Sequence, residues 1–310
     1  MSRYTTIAYG VAAIAVMMAS SCSCDRSRSM ADYDSQMDST TSSASAEMEA
    51  DMAKSKTILY TLPAPVEMAT LIKESGLMYD DELLNPLSKM PSYTSNLKMA
   101  LNLGVYTTDM SVASMFNQSQ KTMEYLNTIK QLTEKLGIVQ IVDDATLAKF
   151  EKKETTKDEI LNIISDVYMN ANQYLSDNNR RNVAAEVLVG GWIEGFNIAA
   201  SLAENNKWKN EKLRERIMAQ KLALNTVITI LEDENKDMQD EDLNFLQSKV
   251  SEIKMIFDEV HFESEGMPIV TIDEATKTAF IKSPTKSVID LDILKMLCSK
   301  VQEIRNEIVK

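Results

Sequence analysis

Two acidic residues stand among apolar or small neighbours. Asp109 lies within a turn of Val105, Val112 and Ala113, and Glu194 lies among Gly190, Gly191 and Ile198. Asn102, Tyr106 and Asp109 are spaced i, i+4, i+7, which puts them on one helix face. Acids on apolar helices, next to glycines that permit close approach, would line a polar groove between those helices. If the two carboxyls faced each other, one pKa would rise and a proton would be held there. The candidate groove is therefore Asn102, Tyr106 and Asp109 on one helix against Trp192 and Glu194 on the other. Two plainer readings use the same spacing. Glu186, Gly190, Glu194, Asn197 and Ser201 form one narrow strip that would face solvent, as would Asn102, Tyr106 and Asp109. Alternatively, these groups form a buried polar network that fixes helix register. Trp192 is the kind of residue that more often fills a core than serves as a ligand platform.

Other chemistry finds few residues to use. The chain has one histidine, His261, which lies beside Val260 and Phe262 and reads as structural. Its three cysteines, Cys22, Cys24 and Cys298, form no CxxC pair and no cluster with histidine, which argues against a zinc site. Cys298 falls beside an apolar stripe, as a buried, inert thiol would. Glu-x-x-His spacing, a P-loop and a glycine-rich dinucleotide turn are all missing from the sequence. We thus expect no catalytic residue, metal or cofactor. The charge balance is acidic, 33 Lys+Arg against 46 Asp+Glu, and lacks the basic footprint of a nucleic-acid binder or a polybasic membrane patch.

The elements that would position these residues are helical. Eight glycines and six prolines in 310 residues supply too few turns for a β-sandwich or barrel. The twenty methionines suit adaptable core filling. The segment Val183 to Glu204 is apolar or small around most of its circumference, as expected of a helix in the middle of a bundle. Around it we expect a short helix over Val66 to Glu74 and a long helical stretch from Ser92 to about Gly137, with Gly104 marking a close approach or bend. A short helix over Asp144 to Lys152 follows. Next comes a helix opened by the capping box Thr156-Lys157-Asp158-Glu159. Further helices cover Lys207 to Asp233 and Asp240 to Phe262, and a last one follows Pro284. Pro268 to Ile272 and Thr278 to Ile281 read as a small β-hairpin over 268–282. The fold class is all-α, a multi-helix bundle with a central apolar helix. Residues 97–137 and 183–234 echo each other weakly, each a small-residue apolar helix followed by an amphipathic one.

Residues 1–21 read as an export signal: Arg3, then an apolar run Ile7 to Ala19 that is too short to span a bilayer. Ala19-Ser20-Ser21-Cys22 resembles the lipobox of bacterial lipoproteins, with Ala19 where the commoner pattern has Leu. The resemblance implies lipid attachment at Cys22; an ordinary cleaved signal would leave Cys22 and Cys24 incidental. Residues 22–56 are rich in Ser, Thr, Ala and Asp without apolar period, as in a disordered tether. Such a tether would reach about 30–35 Å. Residues 57–310 then form the all-α helical domain.

Four stretches carry a wider resemblance. They are Leu62-Pro63-Ala64-Pro65-Val66-Glu67, Lys73-Glu74-Ser75-Gly76-Leu77, the run Ala100 to Ser111 (ALNLGVYTTDMS), and Gly190-Gly191-Trp192-Ile193-Glu194-Gly195. With the lipobox-like start they resemble a family of uncharacterised all-helical lipoproteins of Bacteroidetes, over most of residues 58–265 and the C-terminal helix; residues 266–285 look less typical. The resemblance implies a helical fold and an envelope location, with no activity attached. The expectation is a non-enzymatic protein of the bacterial envelope, held at the outer membrane by a lipid anchor. It would act through an unknown envelope partner and not through nucleic acid. The alternative is a small-ligand binder using the groove between Asp109 and Glu194.

Overall fold

The structure is a computed structural model that describes residues 69–70, 72–73, 76, 78–138, 146, 148, 156–236, 239–260, 263–264, 269–273, 278–282, 285–286 and 290–310. All of them belong to one unit, Lys54–Lys310. The expected signal, Cys22, the tether, the helix over Asp144 to Lys152 and His261 lie wholly or largely outside the described residues, as does most of the helix over Val66 to Glu74.

Among the described residues seven α-helices carry the fold: α1 Asn96–Met115, α2 Ser119–Lys135, α3 Lys157–Asp177, α4 Arg181–Asn205, α5 Glu211–Asn235, α6 Glu241–Asp258 and α7 Leu291–Ile308. The class is all-α. Short 3₁₀ turns at Asp81–Leu83 and Leu87–Ser92 precede α1. Between α6 and α7, β1 (Glu263–Ser264) pairs with β4 (Thr285–Lys286) and β2 (Ile269–Asp273) with β3 (Thr278–Lys282), both antiparallel. These two short ladders do not alter the class, which the helices set.

Local sequence starts the helices. Thr156 and Glu159 form the reciprocal capping box expected of them. The side chains of Ser95, Asn210, Asp240 and Asp290 accept backbone N–H groups at the starts of α1, α5, α6 and α7. The helical stretch expected from Ser92 to about Gly137 is two helices, α1 and α2. Asn117 takes φ +60°, and Gln118 N–H reaches back to Ala113 O at 2.9 Å, so the chain turns at 116–118. Asparagine tolerates this left-handed conformation, and the turn satisfies the last carbonyls of α1.

Two helices, not one, occupy the centre. In α4, residues 185–200 are buried without a break, and in α1 every residue from Met99 to Met115 is buried. Among the described residues α4 alone is long and apolar enough to cross a membrane, yet nearly all of it lies inside the bundle. α1 packs on α4, with α2 and α3 alongside; α5, α6 and α7 complete the bundle. α5 and α6 run antiparallel, tied by Lys221 Nζ to Phe257 O (2.8 Å) and Gln247 Nε2 to Leu231 O (3.0 Å). The seam of α6 is Leu243, Leu246, Val250, Ile253 and Phe257, all buried, as the threes-and-fours spacing requires.

α1 and α4 touch backbone to backbone. A Cβ on Gly104 would lie 1.9 Å from Val187 O, and one on Gly190 would lie 2.0 Å from Leu101 O. Both are within the repulsive wall, and the obstructing atom is backbone in each case. Gly191 is looser, with its nearest atoms at 3.3 Å. Thr108 Oγ1 donates to Gly191 O across the contact (3.1 Å). Gly104→Ala and Gly190→Ala should each lower unfolding free energy by about 3 kcal/mol or more, since the strain must move a helix, not a rotamer. Gly191→Ala should cost clearly less. Denaturant unfolding of the three variants checks this, and a neutral Gly190→Ala would mean the helices stand further apart.

Candidate functional site

The close crossing of α1 and α4 sets Asp109 and Glu194 side by side, at a junction where the segment before α1 and the end of α7 also arrive. Both acids are fully buried, as are Asn102 and Tyr106. The solvent-strip reading of these residues fails for that reason. On α4 the strip is buried at Glu186, Glu194 and Asn197, and half-buried at Ser201.

That strip is where α7 lands. Arg305 Nε donates to Glu194 Oε2 at 2.7 Å and Nη2 donates to Glu194 Oε1 at 2.9 Å, a bidentate pair. Gln302 Nε2 donates to Ser201 Oγ at 3.3 Å, so α7 runs antiparallel to α4. On the other side, Asp109 Oδ2 accepts the Asn85 backbone N–H at 3.0 Å, while Asp109 Oδ1 has no hydrogen-bond partner.

Around this triad the remaining polar groups tie the chain ends together. Asn85 Nδ2 donates to Tyr93 Oη (3.0 Å) and Asn102 Oδ1 (3.3 Å). Asn102 Nδ2 donates to Ile308 O (3.0 Å) and Tyr93 Oη to Val309 O (3.4 Å). Tyr106 Oη donates to Pro86 O (3.1 Å) and Tyr125 Oη to Asn85 O (3.2 Å). Burial holds the Tyr106 and Tyr125 hydroxyls well above the ordinary phenol range, so they remain donors. Tyr106 also packs between the rings of Tyr93 and Tyr125.

The charge state of the junction follows from its contents. Burial raises Asp109 well above the ordinary carboxyl range, and the Glu194 carboxylate raises it further; the Asn85 N–H and Arg305 pull the other way. One guanidinium cannot offset two buried carboxylates, so the neutral form of Asp109 is favoured. The arrangement joins α1, α4, α7 and the segment before α1 at one point.

Of the five residues read as a groove, the structure brings four together: Asn102, Tyr106, Asp109 and Glu194. Trp192 is not among them. Its Nε1 donates to Gln220 Oε1 on α5 (3.1 Å), and its ring meets Phe196, which in turn meets Phe257. The four are buried, so they line no groove open to solvent. Sequence reasoning missed Asn85, Tyr93, Tyr125 and Arg305. Arg305 carried a signal: it is four residues after Val301 and three before Ile308, both buried, so it lies on the inward stripe.

A second buried acid stands apart. Glu186 is 2% exposed, and its Oε2 has no partner. Burial pushes its pKa up to about 8, with Asp242 and Asp240 adding to this and Arg180 opposing. Cys298 is a free, buried thiol that burial pushes up to about 12, as an inert core residue would be. Among the described residues no group of three or more His, Cys, Asp or Glu could hold a metal ion.

No protein-family profile matches the chain, and neither curated proteins nor solved structures gave a match.

Two predictions test the electrostatics. Arg305→Met should cost about 3–5 kcal/mol by leaving a buried carboxylate unpaired. Adding Glu194→Gln to it should recover part of that loss, so a double-mutant cycle should be strongly non-additive; additive effects would mean the pair is not coupled. For Glu186, the folded chain holds a proton that the unfolded chain has released, so this group makes stability fall as pH rises from about 4.5 to about 8. Glu186→Gln should make the decline in melting temperature with pH shallower by this group's share, leaving that of Asp109, and should stabilise the chain most on the alkaline side.

Proposed function

We propose that the chain is a lipid-anchored protein of the bacterial cell envelope, joined to the outer membrane through Cys22 and acting through protein contacts, not through chemistry on a substrate. The observation that carries the non-enzymatic half is the buried triad. Glu194 spends both oxygens on Arg305, and Asp109 is capped by the Asn85 N–H. These acids join helices to one another. The acidic, charged outer faces of the helices are the surface left for a partner. A ligand groove at Asp109 and Glu194 would need the junction to open.

The anchor rests on sequence: the apolar run before Cys22, the small residues leading up to it, and the Ser- and Asp-rich segment after it. Several acyl chains on one cysteine would hold stably, since each buried methylene contributes about 0.8 kcal/mol. Metabolic labelling with a fatty-acid probe tests this directly. The wild-type chain should take up label and sediment with the envelope, and Cys22→Ala should lose both. Label retained in Cys22→Ala would refute attachment at that residue. Crosslinking the anchored chain in the intact envelope should then recover one dominant partner.

A further inference from the structure

We infer that Asp109 holds a proton on its unpartnered Oδ1, donated toward Glu194, and that this proton latches the C-terminal end of α7, which is released as the proton leaves. Asp109 comes from α1, Glu194 from α4 and Arg305 from α7, and Arg305 is satisfied in bidentate fashion by Glu194 alone. Asp109 Oδ2 is occupied by the Asn85 N–H, and Oδ1 has no partner although its side chain meets the Glu194 carboxyl. Two carboxyl oxygens cannot bond without a hydrogen between them. One proton on Asp109 Oδ1, donated toward Glu194, supplies that bond and makes the triad neutral overall.

The other titratable groups facing the pair do not replace the proton. Tyr106 on α1, Tyr125 on α2, and Tyr79 and Tyr93 before α1 all feel one or both carboxylates and are themselves held protonated. The hydroxyls of Tyr106 and Tyr125 are spent on Pro86 and Asn85 carbonyls.

What the proton controls is set by what converges here. The last carbonyls of α7 are bound from the opposite side of the junction: Ile308 O by Asn102, Val309 O by Tyr93 and Lys310 O by Lys98 Nζ (3.2 Å). An ionised Asp109 would place a second negative charge against Glu194 and compete for Arg305. Moving the α7 end outward takes Arg305 to water and lets the carboxyls separate and hydrate. Opening then releases one proton, so its equilibrium constant should rise roughly tenfold per pH unit between the ordinary carboxyl range and the closed-state titration point, and level off above it.

The test uses the full chain solubilised in detergent. Hydrogen exchange of the amides at 301–310, corrected for intrinsic rate and compared with α6, should show protection falling as pH rises above the ordinary carboxyl range. Asp109→Asn keeps an N–H donor toward Glu194 and an acceptor for Asn85 but has no proton to lose; its α7 protection should stay high and flat. Glu186→Gln should leave the wild-type dependence in place. Infrared difference spectra at neutral pH should show a buried, protonated carboxyl band that Asp109→Asn removes. A wild-type spectrum without that band, a flat wild-type exchange profile, an unchanged slope in Asp109→Asn or a slope abolished by Glu186→Gln would each overturn the inference.

Discussion

The structure depends on how closely α1 and α4 approach. With Gly104 against Val187 and Gly190 against Leu101, the two backbones meet with no side chain between them. That spacing buries both helices around their whole circumference, so polar residues on either one must find partners inside the molecule. Asp109 and Glu194 are the costly cases. Once they are side by side, a cation and N–H donors have to come from elsewhere in the chain. Arg305 brings α7 and Asn85 brings the segment before α1. A contact made by Gly104 and Gly190 thus determines where two distant pieces of chain must dock.

Why the junction is ionic and not apolar is a separate matter. A buried ion pair gives little net stability over a well-packed hydrophobic equivalent, because desolvation offsets most of the attraction. It does discriminate between alternatives. α7 is amphipathic, with Leu294, Leu297, Val301, Ile304 and Ile308 buried, and an apolar stripe of that kind would tolerate a shift along α4. A shift of one turn would part Arg305 from Glu194 and strand both charges. The bidentate geometry and the Ser201–Gln302 bond permit one register. The triad fixes where α7 lies more than how tightly it binds.

The helical class, the buried faces of α6 and α7 and the capping box at Thr156 were legible because they follow from local periodicity and local hydrogen bonds. Asp109, Glu194, Asn102 and Tyr106 were legible as a group because each stands among small or apolar neighbours. Whether they faced solvent or core was not legible. That depends on what packs against the strip, and Arg305 lies 111 residues from Glu194 in sequence. Asn85 was hidden for a different reason. It stands in a segment broken by Pro86 and Pro91, where no period marks an inward face, and it acts partly through its backbone N–H. The change from an apolar to an amphipathic helix within 97–137 was legible, but the place of the turn was not, since a single left-handed residue, Asn117, marks it.

α4, whose length and composition would suit a membrane span, belongs to the bundle interior. A helix in lipid keeps its polar side chains few and directed at neighbouring helices or water-filled cavities. In α4 they are arranged for partners in this chain: Glu194 for Arg305, Ser201 and Glu204 for Gln302, Trp192 for Gln220 and the Gly191 carbonyl for Thr108. Removing α1, α5 and α7 from around it would leave these side chains unpaired, which a bilayer would penalise more heavily than water. The apolar character of α4 is accounted for by the helices that enclose it.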